Sequence, residues 1–247
     1  MDPLTITVHT DVDQRSAEWH HSYRAGRVGG SEAKIVVSGK TGNETAAKRD
    51  LRTIKALEQC GIQQPVQSYM SADMQRGVER EAGARAGFEF LTGCMVDEVG
   101  YVSCNSISAG CSPDGLIGEM LDEKISGVLE IKCPRPANHW KSIRLGAKGL
   151  AGIPTIHHPQ ILHTLAITGR ECLAFCSYAP EMGIELELYI RYVFACDLDV
   201  KERINKYMVT LTRFLEEIDK EAEEIKLAIK GINSPPVQPQ KEKICLT

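Results

Sequence analysis

The chain reads as an α/β protein in which short strands alternate with helices and the last element is a long helix. Three stretches carry that reading. In Gly127-Val128-Leu129-Glu130-Ile131-Lys132-Cys133-Pro134, Val128, Glu130 and Lys132 alternate with Leu129, Ile131 and Cys133, the two-residue period of a strand. Residues 172–178 and 185–194 also read as strands, the second setting Leu186, Leu188 and Ile190 against Glu185, Glu187, Tyr189 and Arg191. After a cap at Asp197 or Asp199, Val200, Ile204, Met208, Leu211, Leu215, Ile218, Ala222, Ile225 and Ile229 step by three or four. That is one apolar stripe, facing either the chain's own sheet or a neighbouring subunit. Gly231 ends this helix and the Pro-rich run from Ser234 opens a flexible tail, so one domain over residues 1–230 and a tail over 231–247 are expected.

The remaining elements follow in order. Residues 1–18 are polar with little periodicity. Between Trp19 and Ala33, Arg24, Arg27 and Ser31 bracket a glycine-rich turn, with Ser31 as the N-cap of a helix that begins at Glu32. A helix N-terminus beside arginines suits a phosphate. Residues 41–70 read as mostly helical, and a further helix runs from Ser71 to about Phe90, with Met74, Val78, Ala82, Arg85 and Ala86 on one stripe and Glu81 next to it. Val96 to Leu116 reads as two short strands, and residues 118–127 as a polar connection in which Asp122 and Glu123 are solvated. Beyond Pro134, Arg135, Lys141, Arg144 and Lys148 interleave with Trp140, a pattern suited to gripping a nucleic-acid backbone and stacking a base. A turn at Ile156 leads into an apolar helix stopped by Gly169, with Gln160 in its first turn, where the amide can reach a neighbouring strand.

Several classes are excluded or disfavoured. No apolar run approaches 18 residues and no basic-then-apolar leader opens the chain, so a cytoplasmic protein is expected, with no membrane partner. Nine scattered cysteines, an odd number, do not make a secreted disulfide framework and read as reduced core thiols. Cys172 and Cys176, and His157, His158 and His163, lack partners at zinc-site spacing. A formal net charge of −4 disfavours a uniformly basic nucleic-acid binder, so DNA contact requires a local basic lining.

The chemistry concentrates in Cys111-Ser112-Pro113-Asp114-Gly115 and the strand after it. Glu130 and Lys132 share one strand face, a poor core choice unless a metal or phosphate shares the site. Pro113-Asp114-Gly115 favours a turn that aims the Asp114 carboxylate at that strand. Two hard oxygen ligands with open positions suit Mg²⁺, or Mn²⁺ in its place, rather than zinc. Lys132 then stands beside the attacking water and the attacked phosphate.

Pro-Asp followed after a hairpin by Glu-x-Lys resembles the signature of the restriction-endonuclease-like nucleases. More widely, Trp19, Arg24, Gly26, Ser31 and Glu32, Gly77 with Glu81, Phe88-Glu89-Phe90 with Thr92-Gly93, Cys111 to Leu116, Leu129 to Pro134, Arg144-Leu145-Gly146 and Gln160 together resemble the bacteriophage lambda exonuclease family, across roughly Trp19 to Lys220. The resemblance implies a restriction-endonuclease-like core, a central mixed β-sheet flanked by helices. It implies digestion of linear double-stranded DNA from a 5′ end to mononucleotides, a 3′ single strand as product, a toroidal homotrimer and a single-strand annealing protein as partner. By resemblance Asp114, Glu130, the Ile131 carbonyl and Glu81 hold Mg²⁺, Lys132 activates water and Gln160 orients. Arg24, Ser31 and Ser112 likewise bind the 5′-phosphate, and Arg27, Arg135, Trp140, Lys141, Arg144 and Lys148 line the DNA path. The rivals are a structure-specific or restriction-type endonuclease, a non-catalytic DNA-binding scaffold and a small-molecule phosphoesterase.

Overall fold

A computed structural model describes residues 4–39, 44–65, 70–120 and 125–232. Strands β1 (Ile6–His9), β3 (Tyr101–Cys104) and β4 (Gly110–Cys111) form a small antiparallel sheet in the order β1-β3-β4. The central sheet has the order β2-β5-β6-β7-β8, built from β2 (Val96–Asp97), β5 (Gly115–Met120), β6 (Ile125–Lys132), β7 (Cys172–Tyr178) and β8 (Leu188–Phe194). It is mixed because only β6 and β7 run parallel. A parallel neighbour needs a crossover, supplied here by α4 (Pro136–Leu145) and α5 (His158–Thr168).

The alternation along β6 sorts the sheet into two cores. Val128, with Leu116, Leu173, Phe175 and Val193, faces a core shared with α5 and with α6 (Leu198–Ile232). Leu129 and Ile131 face the other way, against Ala84 and Phe88 of α3 (Ala72–Thr92). Glu130 and Lys132 therefore sit on the α5 side. Helix α6 packs on its own chain, against α5 and against α2 (Ala46–Gln59), with Val200, Met208, Leu211, Leu215, Ile218 and Ala222 buried. Its last turns leave Leu227, Ile229 and Ile232 exposed.

Several boundaries differ from the sequence reading. Residues 1–18 contain β1, an edge strand with its two central residues exposed and hence no clean alternation. Ser31 caps no α-helix, since it lies inside a 3-10 turn at Gly30–Glu32 that leads into the four-residue α1 (Ala33–Val36). The cap is the Glu32 carboxylate, which accepts the Gly29 N–H at 2.7 Å. Among the described residues of 41–70 helix is confined to α2, and the span from Val96 to Leu116 holds β2, β3, β4 and the start of β5 instead of two strands. Strands β5 and β6 extend into the expected polar connection, while Asp122 and Glu123 fall outside the described residues. Glu185 to Glu187 form a turn ahead of β8. Gly231 lies within α6, and residues 233–247 are outside the described chain.

Candidate active site

Asp114 sits on the bend between β4 and β5 and is pinned to β6 at both ends. Its N–H donates to the Leu129 carbonyl at 3.1 Å, and its Oδ2 accepts the Ile131 N–H at 2.5 Å. Gly115 permits the close crossing, because a Cβ there would stand 2.1 Å from Val96 Cγ1. Glu130 is 2% exposed, and its Oε1 accepts both the Lys132 ammonium and the Gln160 amide, the latter at 2.6 Å. The structure thus brings Asp114, Glu130, Lys132 and Gln160 together at one end of β6.

The electrostatics of this edge are those of crowded anions. Burial pushes the Asp114 carboxyl well above the usual range, and the Glu130 and Glu81 charges push it further. The Lys132 ammonium and the Ile131 N–H only partly offset that rise. Burial works against the Lys132 charge, but the Glu130 and Asp114 carboxylates outweigh it and raise the ammonium above its ordinary value.

Glu81 is the neighbour on α3, and its oxygens are taken by guanidinium groups, Arg85 at 3.2 Å and Arg15 at 3.3 Å. Among the described residues no group of three His, Cys, Asp or Glu side chains stands close enough to enclose a metal ion. The two clustered carboxylates are Asp114 and Glu130, with Glu81 beside them through Arg85, whose Nε also donates to the Asp114 carbonyl at 3.2 Å. Two hard-oxygen donors, one of them pushed toward protonation by burial and by the Glu130 charge, fit a small divalent cation such as Mg²⁺.

A second group of residues meets at Trp19, inside a π-helical segment, Trp19–Arg24. The indole N–H donates to Ser112 Oγ at 2.9 Å and to the Gly100 carbonyl at 3.2 Å, and the Arg24 guanidinium lies 5.0 Å from the ring centroid. Arg24 donates to Ser31 Oγ at 3.1 Å and to Glu32 Oε1 at 3.2 Å. The Trp19 ring therefore stands between Arg24, with Ser31 bonded to it, and Ser112, which precedes Asp114 by two residues in the chain. Arg27 donates to the Tyr23 carbonyl at 3.0 Å.

Helix α4 leaves the active strand at once, four residues after Lys132. Trp140, Lys141 and Arg144 are exposed on it, as are Arg135 before it and Lys148 after it. His139 points inward instead, bonded to Ser177 Oγ at 2.8 Å and the Leu186 carbonyl at 2.7 Å.

Sequence reasoning missed Arg85 and Arg15. Arg85 was read as part of an apolar stripe, yet it is a buried cation serving Glu81, Glu98 and the Asp114 carbonyl; its signal was the i,i+4 spacing from Glu81. Arg15 has φ 71°, the single positive value among the described non-glycine residues, and nothing local in the sequence announces that strain. Of the three histidines weighed for zinc, His163 is a core residue between Tyr207 Oη and the Gly110 carbonyl, and burial lowers it to about 4. His158 bonds the Ile153 carbonyl at 2.8 Å, and His157 packs 5.4 Å from the Phe175 ring.

Fold and site together define a nuclease built on a carboxylate and lysine edge. The chain belongs to the family of YqaJ-like viral recombinase domains, whose model matches residues 18–171. Its fold is similar to that of an alkaline exonuclease (LHK-Exo) from Laribacter hongkongensis, with 27% identity, 88% of this chain and 100% of that chain covered, and a TM-score of 0.72. The same enzyme in complex with dAMP matches with 27% identity, the same coverage and a TM-score of 0.70. A phage-related exonuclease from Haemophilus somnus shares the fold at 12% identity and a TM-score of 0.52, over 81% of this chain and 96% of that one. No curated protein sequence gives a significant match. Family and fold make this chain an exonuclease of the viral recombination type.

Proposed function

We propose that this protein is a metal-dependent 5′-to-3′ exodeoxyribonuclease that digests linear double-stranded DNA to mononucleotides and leaves a 3′ single strand for recombination by strand annealing. The observation that carries the reading is that Trp19 links Arg24, with Ser31 bonded to it, to Ser112, which lies two positions before Asp114 in the chain. A terminal phosphate held by Arg24, Ser31 and Ser112 would set the first internal phosphodiester against the Asp114 and Glu130 edge, giving one nucleotide per cut without reading a base. The dAMP complex of the Laribacter enzyme agrees with a mononucleotide product.

A bound Mg²⁺, or Mn²⁺, would supply Lewis-acid activation of water and leaving oxygen, held by Asp114, Glu130, the Ile131 carbonyl and Glu81. The chain's own residues do the rest. Gln160 holds the Glu130 carboxylate in place. Lys132, already drawn to Glu130, orients the attacking water and neutralises charge building on the phosphate. Asp114, fixed by two backbone bonds, keeps its carboxylate on β6 as the substrate changes.

Arg27, Arg135, Trp140, Lys141, Arg144 and Lys148 grip the DNA backbone, with Trp140 as a stacking platform. A homotrimer, a single nuclease domain over residues 1–230, a cytoplasmic setting and a single-strand annealing partner complete the proposal, supported by the family likeness. Among the described residues no helix is long and apolar enough to cross a membrane.

The test is digestion of a linear duplex labelled at one end, with Mg²⁺, comparing 5′-phosphate with 5′-hydroxyl ends. Stepwise mononucleotide release from the phosphorylated 5′ end is expected, and internal cutting without end dependence would replace the exonuclease with an endonuclease.

A further inference from the structure

Arg24 and Ser31 sit on irregular backbone, and two carboxylates fasten it. Glu58 Oε2, from α2, accepts the Gly26 N–H at 2.8 Å, and Glu32 Oε2 accepts the Gly29 N–H at 2.7 Å. Gly26 has φ +70°, a conformation that favours glycine, so the turn between Arg24 and Ser31 depends on this anchoring. Both carboxylates converge on one cation. Lys55 Nζ lies 3.0 Å from Glu58 Oε2 and 3.4 Å from Glu32 Oε1, and its side chain is 4% exposed.

The linked charges are Arg24 and Lys55, positive, and Glu32 and Glu58, negative, with His20 near Arg24 and Glu58. Glu32 Oε1 is shared between Arg24 and Lys55. A phosphate approaching Arg24 competes with Glu32 for the guanidinium, so Glu32 needs another cation for Arg24 to turn toward the ligand. A half-buried carboxylate that loses its only counter-charge is destabilised, and Lys55 prevents that loss for Glu32.

We infer that Lys55 is a positioning residue for end recognition: it neutralises Glu32 and Glu58 together, clamps both ends of the turn, and releases Arg24 to bind a 5′-terminal phosphate. The inference deepens the proposed function and rests on its 5′-phosphate pocket. Lys55 touches neither substrate nor the carboxylate edge, and the sequence gives no hint of it beyond one lysine in an amphipathic helix.

The experiment is steady-state digestion of 5′-phosphate and 5′-hydroxyl duplexes by the full chain with Mg²⁺, using wild type, Lys55→Met, Lys55→Arg, Arg24→Ala and the double variant Lys55→Met with Glu32→Gln, alongside thermal melts. Lys55→Met is expected to raise KM for phosphorylated ends about tenfold over hydroxyl ends while kcat stays within about twofold, the signature of lost ground-state binding. Lys55→Arg keeps the wild-type KM, and the double variant recovers most of it because the charge balance returns. If Lys55→Met does not fold, Lys55→Gln, which keeps donors for both carboxylates without the charge, is read in its place. Equal loss on both kinds of end, a change in kcat alone, or a double variant worse than Lys55→Met overturns the inference. Wild type that treats both ends alike overturns the phosphate pocket itself. End preference lost in Arg24→Ala but intact in Lys55→Met leaves the pocket standing and removes Lys55 from it.

Discussion

Asp114, Glu130 and Lys132 sit on or beside paired strands, whereas Arg24 and Ser31 sit on backbone that belongs to no sheet and to no α-helix. At the first site main-chain hydrogen bonds set the geometry: the Ile131 N–H and the Leu129 carbonyl hold Asp114, and the β6–β7 ladder holds Glu130 and Lys132. At the second, side chains set it, through Trp19, Glu32, Glu58 and Lys55. The carboxylate edge is thus buffered against distant substitutions, while the turn that carries Arg24 and Ser31 is exposed to them.

The sharpest way to break this comparison is at the edge. Lys132→Ala removes the ammonium beside the attacked phosphate and should lower kcat by about 10³-fold, in the range of lost electrostatic and proton-transfer groups, with duplex binding retained in a gel-shift assay. Next comes the loop. Arg24→Ala should cost about 10²-fold in kcat/KM on phosphorylated ends and far less on hydroxyl ends, since a charge-assisted phosphate contact is lost while the edge is intact. A comparable fall on both substrates would mean that the two sites are one.

The pH dependence separates them again. Burial, with Glu130 and Glu81, raises the Asp114 carboxyl, so at neutral pH a proton competes with the cation for that oxygen. The half-saturating Mg²⁺ concentration should therefore fall as pH rises from 6 to 9, by up to about tenfold per unit if one proton is released. The folded value lies above the unfolded one, so the metal-free protein loses stability as pH rises through the folded value, and thermal melts should show Mg²⁺ offsetting that loss. The phosphate preference measured at saturating Mg²⁺ should not follow this trend.

The smallest effect is expected on α4. Trp140→Ala should weaken duplex affinity about three- to tenfold, the scale of one stacking contact, without altering the product of each cut.

The difference between the two regions also explains what could be read from the sequence. The period of two in β6 announced the shared face of Glu130 and Lys132, and Pro113-Asp114-Gly115 announced the turn. The stripe on α6 follows its buried face as far as Ala222, with Ile204 only partly buried and Tyr207 and Phe214 buried beside it. Regular backbone writes itself into the sequence as a repeat. The loop left no such trace. Ser31 suggested a helix cap, yet the cap is the carboxylate of Glu32, and the π-helical turn at Trp19–Arg24 has no period of its own. Only the family resemblance joined Ser112 to Arg24 and Ser31, and the contacts of Lys55 with Glu32, Arg85 with Glu98 and the Asp114 carbonyl, and Arg15 with Glu81 join residues that no local pattern pairs. The edge strand β1 was missed because its two central residues are exposed.

The central claim, that the Asp114 and Glu130 edge is a divalent-cation centre, is tested most directly by anomalous diffraction from crystals grown with Mn²⁺. The account predicts a manganese peak at about 2.2 Å from oxygens of both carboxylates, the distance of a hard cation from its ligands, and none in the Asp114→Asn protein. A peak bound elsewhere, with the edge empty while the crystals still cleave DNA, would contradict it.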